Sequence, residues 1–446
     1  MKRISVLLCV VTLLGSLCGC GKTTGVTVYD ADGNVMGTPT AMKVDAATLT
    51  DPAYSSYIDV VLSEAANALA SAAGLSAEQV QQRLFTGGYH IYTAFDPAVC
   101  TALQEGYRDR ATKDLEYAAA VTDHSGRLLA TYSVGEQNFA ITRQSPHSSF
   151  KPLGVYAPAL DAGLIDWSTQ ITDRPYSQIK GDDGTMQDWP KNASGTYSYV
   201  KTNLYECIRQ SLNTASVHCL SRLGVDKSIA FLQDSFGIDL TYEQTMLQQK
   251  GADEIIGNIA LGSTRAGVTP VDMAGYYQIF GNGGQYTAPY TILEIRDEAG
   301  QTVYTAAAES KQVLKPTTAY IMNQLLRGVV QGGGTGDQAG GRSVPVAGKT
   351  GTGNRGEGNW FVGVTPQYSM AVYHGDCPDR NIADILYGAV LDHLPTHTVT
   401  DFPACPAVRK GVFCVESGKL FSAAGCSRMY VGYYDPSQTI PVCDAH

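Results

Sequence analysis

Apolar positions recur with helical spacing in an early part of the chain. From Tyr57 to Leu84 they fall three or four residues apart, and Gly74 interrupts the pattern. This spacing predicts two helices that are separated at Gly74. Before them, short runs of strand-forming residues at 26–29 and 35–36 flank a group of turn-forming residues. That arrangement predicts a small hairpin.

Strand-like runs stand on both sides of a long helical region. Residues 150–280 read mainly as helices. The runs that predict strands are 89–93, 118–122, 128–132, 360–364 and 368–373. Because elements of one domain must share a core, strands at both ends with helices between them predict an α/β body whose sheet is assembled from distant segments.

Composition and charge narrow the possible classes of protein. The 446 residues allow two or three domains, or one large domain with appendages. With 44% hydrophobic and 17% charged residues, the chain is too apolar for a disordered protein and not apolar enough for a multi-span membrane protein. Its net charge of −10 argues against a nucleic-acid partner, because phosphates would repel such a surface.

The first twenty residues predict export from the cell. A cationic start at 1–3 is followed by an apolar run at 4–17, which is shorter than the ~20 residues that span a bilayer. The next residues, up to Cys20, resemble the bacterial lipobox, which makes Cys20 the candidate for lipidation. An uncleaved signal-anchor helix and a plain secretory signal are the alternatives, and each of the three exports the rest of the chain.

The cysteines fit an exported protein. Eleven are present, and the eight that follow Gly21 are an even number, as expected for disulfides in an oxidising compartment. Four of them lie close to the C-terminus, and sequence cannot choose among their three pairings: Cys405, Cys414, Cys426 and Cys443. A zinc site that combines them with His393 and His397 competes with disulfides, but no C-x-x-C spacing supports it, so we predict no metal site.

The first chemical motif is S-x-x-K, which occurs three times. Only Ser148 opens a run with apolar residues at helical spacing, which ends before Gly163. A serine in the first helical turn shares a face with a lysine three residues later, here Lys151, so the amine can reach the hydroxyl. The other two occurrences, at 177–180 and 198–201, lack this context.

Two further motifs follow in the chain. Ser211 and Asn213 form an S-x-N in a connector between two predicted helices, at 200–210 and from Thr214, although alone such a motif is more often a helix N-cap. Residues 349–351 form a K-T-G after a strand-like approach, where the glycine permits close contact with a ligand backbone. A nucleotide P-loop is excluded because Ser343 occupies the position of its first glycine.

The order S-x-x-K, S-x-N, K-T-G is the signature of penicillin-binding proteins and serine β-lactamases. The chain resembles the transpeptidase domain of class A penicillin-binding proteins over about two-thirds of its length. The matching blocks are 144–152 (QSPHSSFKP), 211–214 (SLNT), 346–352 (VAGKTGT), 359–363 (NWFVG) and the cysteine-bearing 414–420 (CVESGKL). The resemblance implies a penicillin-binding/β-lactamase-like α/β fold, with a mainly antiparallel sheet flanked by helices and an all-helical subdomain.

On this basis the chain divides into four parts. We expect a lipoprotein-type signal peptide at 1–20, an N-terminal hairpin and helical linker at 21–85, the transpeptidase domain at 86–400 and a cysteine-containing tail at 401–446. Between the anchor and residue 57 there is no room for the glycosyltransferase domain of class A relatives. We therefore expect a monofunctional enzyme whose glycan strands come from a separate glycosyltransferase.

The resemblance also implies a mechanism without a cofactor. Ser148 attacks the carbonyl of a peptidoglycan stem peptide and forms an acyl-enzyme, with Lys151 as the base. Lys151 can serve near neutral pH if burial and the charge of Lys349 favour its neutral form. Ser211 relays a proton to the leaving amine, and Asn213 orients Lys151 and the substrate.

The same resemblance implies how the third motif binds substrate. Lys349, together with the hydroxyls of Thr350 and Thr352 on either side of Gly351, binds the terminal carboxylate. The backbone N–H groups of Ser148 and Thr352 form the oxyanion hole. One departure from the family pattern is His147, which stands where the family usually has glycine.

Several activities share this chemistry. A D,D-transpeptidase that β-lactams inhibit is the preferred prediction, at the outer face of the bacterial cytoplasmic membrane. A D-Ala-D-Ala carboxypeptidase or a β-lactamase would need an activated water, for which Asp182, Asp183 and Asp188 are weak candidates. A lipid-anchored sensor that is acylated once without turnover is the alternative from another class.

Overall fold

The computed structural model describes residues 25–74, 76–110, 116–181, 183–353, 358–375, 377–395, 400–423 and 425–444. The signal-peptide prediction and Cys20 lie outside these residues. Within them, the longest apolar helices fall short of what a bilayer-spanning segment requires.

Helices form most of the middle of the chain. In chain order the α-helices of the described residues are α1 (Ser55–Ala73), α2 (Ala77–Thr86), α3 (Pro97–Arg110), α4 (Ala157–Asp161), α5 (Leu204–Arg209), α6 (Asn213–Leu223), α7 (Val225–Phe236), α8 (Thr241–Lys250), α9 (Ala252–Ala260), α10 (Pro270–Tyr277), α11 (Pro316–Val329) and α12 (Ile382–His393). As the spacing predicted, Gly74 ends α1, in a left-handed conformation that glycine adopts at little cost.

Strands come from the two ends and from short pairs between the helices. In the same part of the chain they are β1 (Thr27–Tyr29), β2 (Val35–Gly37), β3 (His90–Thr93), β4 (Tyr117–Asp123), β5 (Leu128–Val134), β6 (Gln170–Thr172), β7 (Ser177–Lys180), β8 (Met186–Trp189), β9 (Lys201–Asn203), β10 (Gln285–Thr287), β11 (Ile292–Arg296), β12 (Thr302–Thr305), β13 (Ser310–Gln312), β14 (Ala347–Thr352), β15 (Asn359–Val364), β16 (Tyr368–His374), β17 (Arg409–Cys414) and β18 (Met429–Tyr434).

The main sheet is antiparallel throughout, in the order β14-β15-β16-β4-β5. Strands β15 and β16 are buried along their whole length, since helices cover both faces of the sheet. Phe361 packs on Tyr387 of α12, whereas Thr122, whose side chain points to the opposite face, hydrogen-bonds to Ala274 of α10. Strand β14, which carries the K-T-G motif, is an edge strand of this sheet.

A second group of helices, α5 to α9, forms a helical lobe around the segment after Ser148. Its apolar side chains, such as Leu232 and Ile259, join the same buried core as Leu153. This region is less uniformly helical than predicted. The helix expected at 200–210 begins only at Leu204, because β9 pairs with β6 and the Asn203 side chain caps α5 by accepting from the Glu206 amide.

The N-terminal segment is packed into the body. Strands β1 and β2 join β3, β11 and β12 in a second five-stranded sheet, in which β1 runs parallel to β3. The Glu64 carboxylate of α1 accepts hydrogen bonds from the Thr291 amide at 2.7 Å and hydroxyl at 2.6 Å, and from the Ile292 amide at 3.2 Å. Residues 25–85 thus form part of the folded unit, while the domain limits given above stay a prediction.

The C-terminal part forms a hairpin of β17 and β18 against the helical side of the molecule. Gly432 of β18 lies so close to the Trp167 ring that a Cβ there would be 2.3 Å from the ring. None of the eight cysteines of the described residues is in a disulfide. The disulfides that the cysteine count predicted are thus not formed.

Candidate active site

The segment that carries Ser148 and Lys151 is helical but not one regular α-helix. A 3-10 turn (His147–Phe150) leads into a π-helical turn (Pro152–Tyr156) and then into α4. Pro152 has no N–H for the Ser148 carbonyl, which accepts from the Lys151 amide instead. The predicted apolar face is buried: Phe150, Leu153, Ala157 and Leu160.

Immediately before Ser148 the backbone is strained. His147 has φ 50°, in the left-handed region that a residue with a Cβ adopts at a cost. Its carbonyl presses on Gly262, where a Cβ would be 2.0 Å away. This backbone geometry gives a physical reason for a glycine preference at position 147, and the chain meets it with histidine.

Lys151 is fully buried and anchored to the second motif. Its ammonium donates to the Ser211 carbonyl at 2.9 Å and to Asn213 Oδ1 at 2.6 Å, and lies 3.4 Å from Ser211 Oγ. Burial lowers the pKa of Lys151 well below its usual value, and the nearby charge of Lys349 lowers it further. Among the described residues, none accepts or donates a hydrogen bond to the Ser148 hydroxyl in this state.

Lys349, on the edge strand β14, reaches the Ser211 hydroxyl from the other side. Its ammonium donates to Ser211 Oγ at 2.8 Å, to the Thr350 carbonyl at 2.9 Å and to Thr350 Oγ1 at 3.3 Å. Burial lowers the pKa of Lys349 to about 7. Ser211 therefore lies between two buried lysines that come from segments 198 residues apart in sequence, Lys151 and Lys349.

The second motif is a strained turn and not a helix cap. Ser211 has φ 55°, which directs its carbonyl to Lys151 while its hydroxyl reaches Lys349. Leu212 is the N-cap residue of α6 and makes no side-chain cap bond, so the N-cap interpretation of the S-x-N motif is wrong. Asn213, the first residue of α6, instead donates to the Lys191 carbonyl at 2.7 Å.

Two polar residues that the sequence did not reveal hold Asn213 in place. Asn192 Oδ1 accepts from the Asn213 amide at 3.0 Å, and Asn192 Nδ2 donates to Asp173 at 2.7 Å. Burial alone would raise the pKa of Asp173, but hydrogen bonds from the Ser198 amide, Thr214 and Asn192 lower it. Neither residue has a diagnostic spacing to the motifs, so only Thr214, within the SLNT block, gave a sequence signal.

The third motif packs directly against the 3-10 turn His147–Phe150, here called the nucleophile turn after the candidate nucleophile Ser148. A Cβ on Gly351 would be 2.5 Å from the Pro146 carbonyl and 3.0 Å from the Ser149 amide. The Trp360 indole of β15 donates to the Ser145 carbonyl at 2.9 Å. Gly351 thus permits a close approach of β14 to the turn that carries Ser148.

A glycine-rich loop at 332–341 connects the second and third motifs. The Gln210 side-chain Nε2 donates to the Gly333 carbonyl at 3.0 Å, next to Ser211. At its other side, Thr335 Oγ1 lies 2.9 Å from Thr350 Oγ1. The loop is therefore tied both to the end of α5 and to the edge strand.

The other S-x-x-K occurrences lie elsewhere. Residues 177–180 form the exposed strand β7, and Lys201 is exposed in β9. Asp183 is exposed and binds Thr185, and Asp188 binds Gln178, within the β7–β8 pair. Asp182 lies outside the described residues.

Comparison with known proteins decides the family. The family model of the penicillin binding protein transpeptidase domain matches residues 117–378. The chain belongs to this family. Penicillin-binding protein 1A of Clostridium acetobutylicum is 31% identical over 67% of this chain and 39% of its own length. Penicillin-binding protein 1F of Bacillus subtilis is 30% identical over 83% of this chain and 49% of its own length.

Solved structures give the same answer for the fold. The D,D-transpeptidase domain of a peptidoglycan glycosyltransferase from Eggerthella lenta superposes with a TM-score of 0.63 at 20% identity, covering 83% of this chain and 97% of that domain. Penicillin-binding protein 1A from Haemophilus influenzae gives a TM-score of 0.69 at 16% identity, covering 93% and 98%. The predicted penicillin-binding fold is confirmed. The matches span about two-fifths to one half of the length of the curated relatives named above.

Proposed function

We propose that this penicillin-binding protein is a D,D-transpeptidase that cross-links peptidoglycan stem peptides through an acyl-enzyme on Ser148. The observation that carries the proposal is the placement of the Ser211 hydroxyl between Lys151 and Lys349. Acyl transfer needs a nucleophile, a base, an oxyanion site and a handle for the substrate, and each has a candidate here.

Lys151 is suited to be the base. A neutral amine has two N–H bonds and one lone pair, and the Ser211 carbonyl and Asn213 Oδ1 accept both N–H bonds. The lone pair is then left for the proton of Ser148, three residues away on the same turn. Burial and the Lys349 charge lower the pKa of Lys151, which favours the neutral amine that a base requires.

Acylation then proceeds through attack on the carbonyl carbon and collapse of the tetrahedral intermediate. Ser148 Oγ attacks the carbonyl carbon of the penultimate D-alanine as its proton moves to Lys151 Nζ. Collapse of the tetrahedral intermediate breaks the peptide C–N bond, and the proton passes to the departing D-alanine amine through Ser211 Oγ. The backbone N–H groups of Ser148 and Thr352, on neighbouring segments, stabilise the oxyanion.

Lys349 and its neighbours bind the substrate carboxylate. The protonated Lys349 amine pairs with the terminal carboxylate, and the hydroxyls of Thr350 and Thr352 donate hydrogen bonds to that carboxylate. Gly351 sets the distance between this carboxylate site and the nucleophile turn. No cofactor enters these steps.

The acceptor decides the product. An amine of a second stem peptide yields a cross-link, whereas water yields a carboxypeptidase or, with a β-lactam, a β-lactamase. Asp183 and Asp188 bind residues of their own hairpin, which favours the amine. We further propose lipidation at Cys20, activity at the outer face of the cytoplasmic membrane and a separate glycosyltransferase that supplies the glycan strands.

The nucleophile is tested by intact-mass analysis after treatment with a fluorescent penicillin. We expect one adduct per chain that maps to Ser148, abolished in Ser148→Ala and retained in the control Ser177→Ala. An adduct on Ser177 or Ser198 would refute the assignment of Ser148.

Turnover separates the proposed activity from its alternatives. Incubated with pentapeptide donor and an amine acceptor, the chain is expected to form the exchanged product while hydrolysing nitrocefin slowly. Fast nitrocefin hydrolysis would identify a β-lactamase, hydrolysis of the donor without exchange would identify a carboxypeptidase, and labelling without turnover would identify a sensor.

A further inference from the structure

Three cysteines of the C-terminal part lie together, far from the acyl-transfer residues in sequence. The sulfur atoms of Cys414, Cys426 and Cys443 all lie within 4.8 Å of one another. Cys414 and Cys443 are buried and Cys426 is partly buried. Cys405, the fourth cysteine of the tail, is not a member of this group, which we call the three-cysteine cluster.

The backbone builds this cluster from three separate segments. Cys414 ends β17, and its amide donates to the Lys419 carbonyl at 2.8 Å. The Cys443 amide donates to the Leu420 carbonyl at 2.8 Å, so that Leu420 bridges the two segments. The Cys426 amide donates to the Ser422 carbonyl at 3.0 Å. Ordinary main-chain pairing thus fixes the position of all three sulfurs.

Two hydrogen bonds reach the sulfurs from residues outside the cluster. The Ser422 amide donates to Cys426 Sγ at 3.4 Å, and the Ser417 hydroxyl donates to Cys443 Sγ at 3.2 Å. Such outer hydrogen bonds orient and stabilise metal-bound thiolates. A single disulfide would use two of the sulfurs at about 2.05 Å and leave the third buried without a covalent partner.

We propose that the three-cysteine cluster binds one Zn²⁺ ion. A tetrahedral zinc with Zn–S bonds of about 2.3 Å needs sulfurs about 3.8 Å apart, and the cluster meets this with small movements. On binding, hydrated Zn²⁺ would exchange water ligands for three Zn–S bonds and keep one water as its fourth ligand, while the three thiols release three protons to solvent. The proposal departs from the sequence-based expectation that the chain has no metal site.

The site differs from the zinc set that the sequence suggested. His393 binds Asp109 at 2.7 Å and Glu105 at 3.1 Å on the surface of α3, so it is engaged elsewhere. In the sequence, Cys443 and His446 have the C-x-x-H spacing of zinc ligands. His446 lies outside the described residues, and the three sulfurs carry the proposal without it.

The proposed zinc has a structural role, because the pair of β17 and β18 is small. A two-stranded hairpin is marginally stable on its own, and β17 and β18 form only such a pair. A metal that joins the end of β17 to residues 426 and 443 closes the hairpin and the last segment into one unit. The metal would therefore stabilise the C-terminal part as one unit, with no part in acyl transfer.

The test is metal content and spectroscopy of the full chain, purified without chelator or reductant. We expect one zinc per chain, and replacement by Co²⁺ should give sulfur-to-cobalt charge-transfer absorption and the visible bands of tetrahedral cobalt. Cys426→Ser should weaken Zn²⁺ binding at least tenfold, because one thiolate ligand is lost. Cys405→Ser, in the same tail but outside the cluster, is the matched control and should bind zinc like the unchanged chain.

Fluorescent-penicillin labelling of Ser148 reports folding of every variant independently of the metal. A purified chain without zinc, with a mass two hydrogens lower and a disulfide within the cluster, would overturn the proposal. So would zinc binding unaltered in Cys426→Ser, or a reduced chain that takes up no added Zn²⁺.

Discussion

At the scale of single residues, the site depends on two backbone positions that carry side chains where glycine is favoured. His147 and Ser211 both have positive φ: His147 directly precedes the candidate nucleophile, and Ser211 is the candidate relay. Such strain persists where the surroundings enforce it, and it gathers at functional sites. At Ser211 the conformation has a visible use, since one residue serves both lysines.

Position 147 offers a clean measurement of this strain. Ala usually stabilises a helix relative to Gly, but at positive φ the order should reverse, because only glycine avoids the Cβ clash. We expect His147→Gly to be about 1 kcal/mol more stable than His147→Ala in urea unfolding. Both variants lack the imidazole, so their difference isolates the backbone. Equal stabilities, or a more stable alanine variant, would contradict this.

The pKa of Lys349 predicts a pH profile. In the enzyme without substrate this pKa is about 7, so the ammonium that binds the substrate carboxylate loses its proton as the pH rises through about 7. We expect the second-order rate of acylation by penicillin to fall on the alkaline side with that midpoint, and the fall to move to much higher pH in Lys349→Arg. An acyl donor without a carboxylate is the control and should lack the alkaline fall.

The lowered pKa of Lys349 also makes the stability of the fold depend on pH. The unfolded chain binds the Lys349 proton up to about pH 10.4, whereas the folded chain releases it near 7. Burial of this lysine therefore destabilises the fold most below pH 7, and the cost diminishes as the pH rises between these values.

At the scale of elements, the catalytic groups depend on the contact between β14 and the turn before Ser148. The sequence located both segments by their motifs but not their bounds or type: the strand expected before Lys349 includes the K-T-G motif, and the helix expected from Ser148 begins as a 3-10 turn. It could not show that Gly351 faces Pro146, since contacts between distant segments leave no periodicity. For the same reason β6 to β9 and the pair Asn192 and Asp173 were not foreseen.

Gly351→Ala tests this contact. The added methyl would meet the Pro146 carbonyl at 2.5 Å, so β14 or the nucleophile turn must shift. We expect a loss of about 1 to 3 kcal/mol in stability and at least a hundredfold slower acylation, because a displacement of about 1 Å has such an effect on catalysis. Gly332→Ala, where a Cβ meets nothing within 4 Å, should change neither quantity appreciably. Normal acylation in Gly351→Ala would exclude a tight contact.

At the scale of the whole molecule, the N-terminal segment and the body share one sheet. The sequence predicted its hairpin and helices but suggested a linker, because its polar residues do not reveal which partners they meet. Glu64 is the clearest of these partners, since it accepts three hydrogen bonds from Thr291 and Ile292 at the start of β11.

Removal of this carboxylate should weaken the whole fold and not only its N-terminal part. Glu64→Ala leaves two backbone amides and one hydroxyl without their acceptor, and we expect a loss of about 2 to 4 kcal/mol in a single unfolding transition. Glu78→Ala, on the exposed side of α2, is the control and should change stability by less than about 0.5 kcal/mol. A separate early transition in Glu64→Ala would show that the N-terminal segment unfolds alone.

The parallel pairing of β1 with β3 also limits how far the enzyme can travel. If Cys20 carries the lipid, four residues lie between it and Gly25, the first residue that the structure describes, so five Cα–Cα steps join the two. Fully extended, they reach about 18 Å. A tether of that length would hold the start of β1 within about 18 Å of the membrane surface, so the folded body could not diffuse away from it.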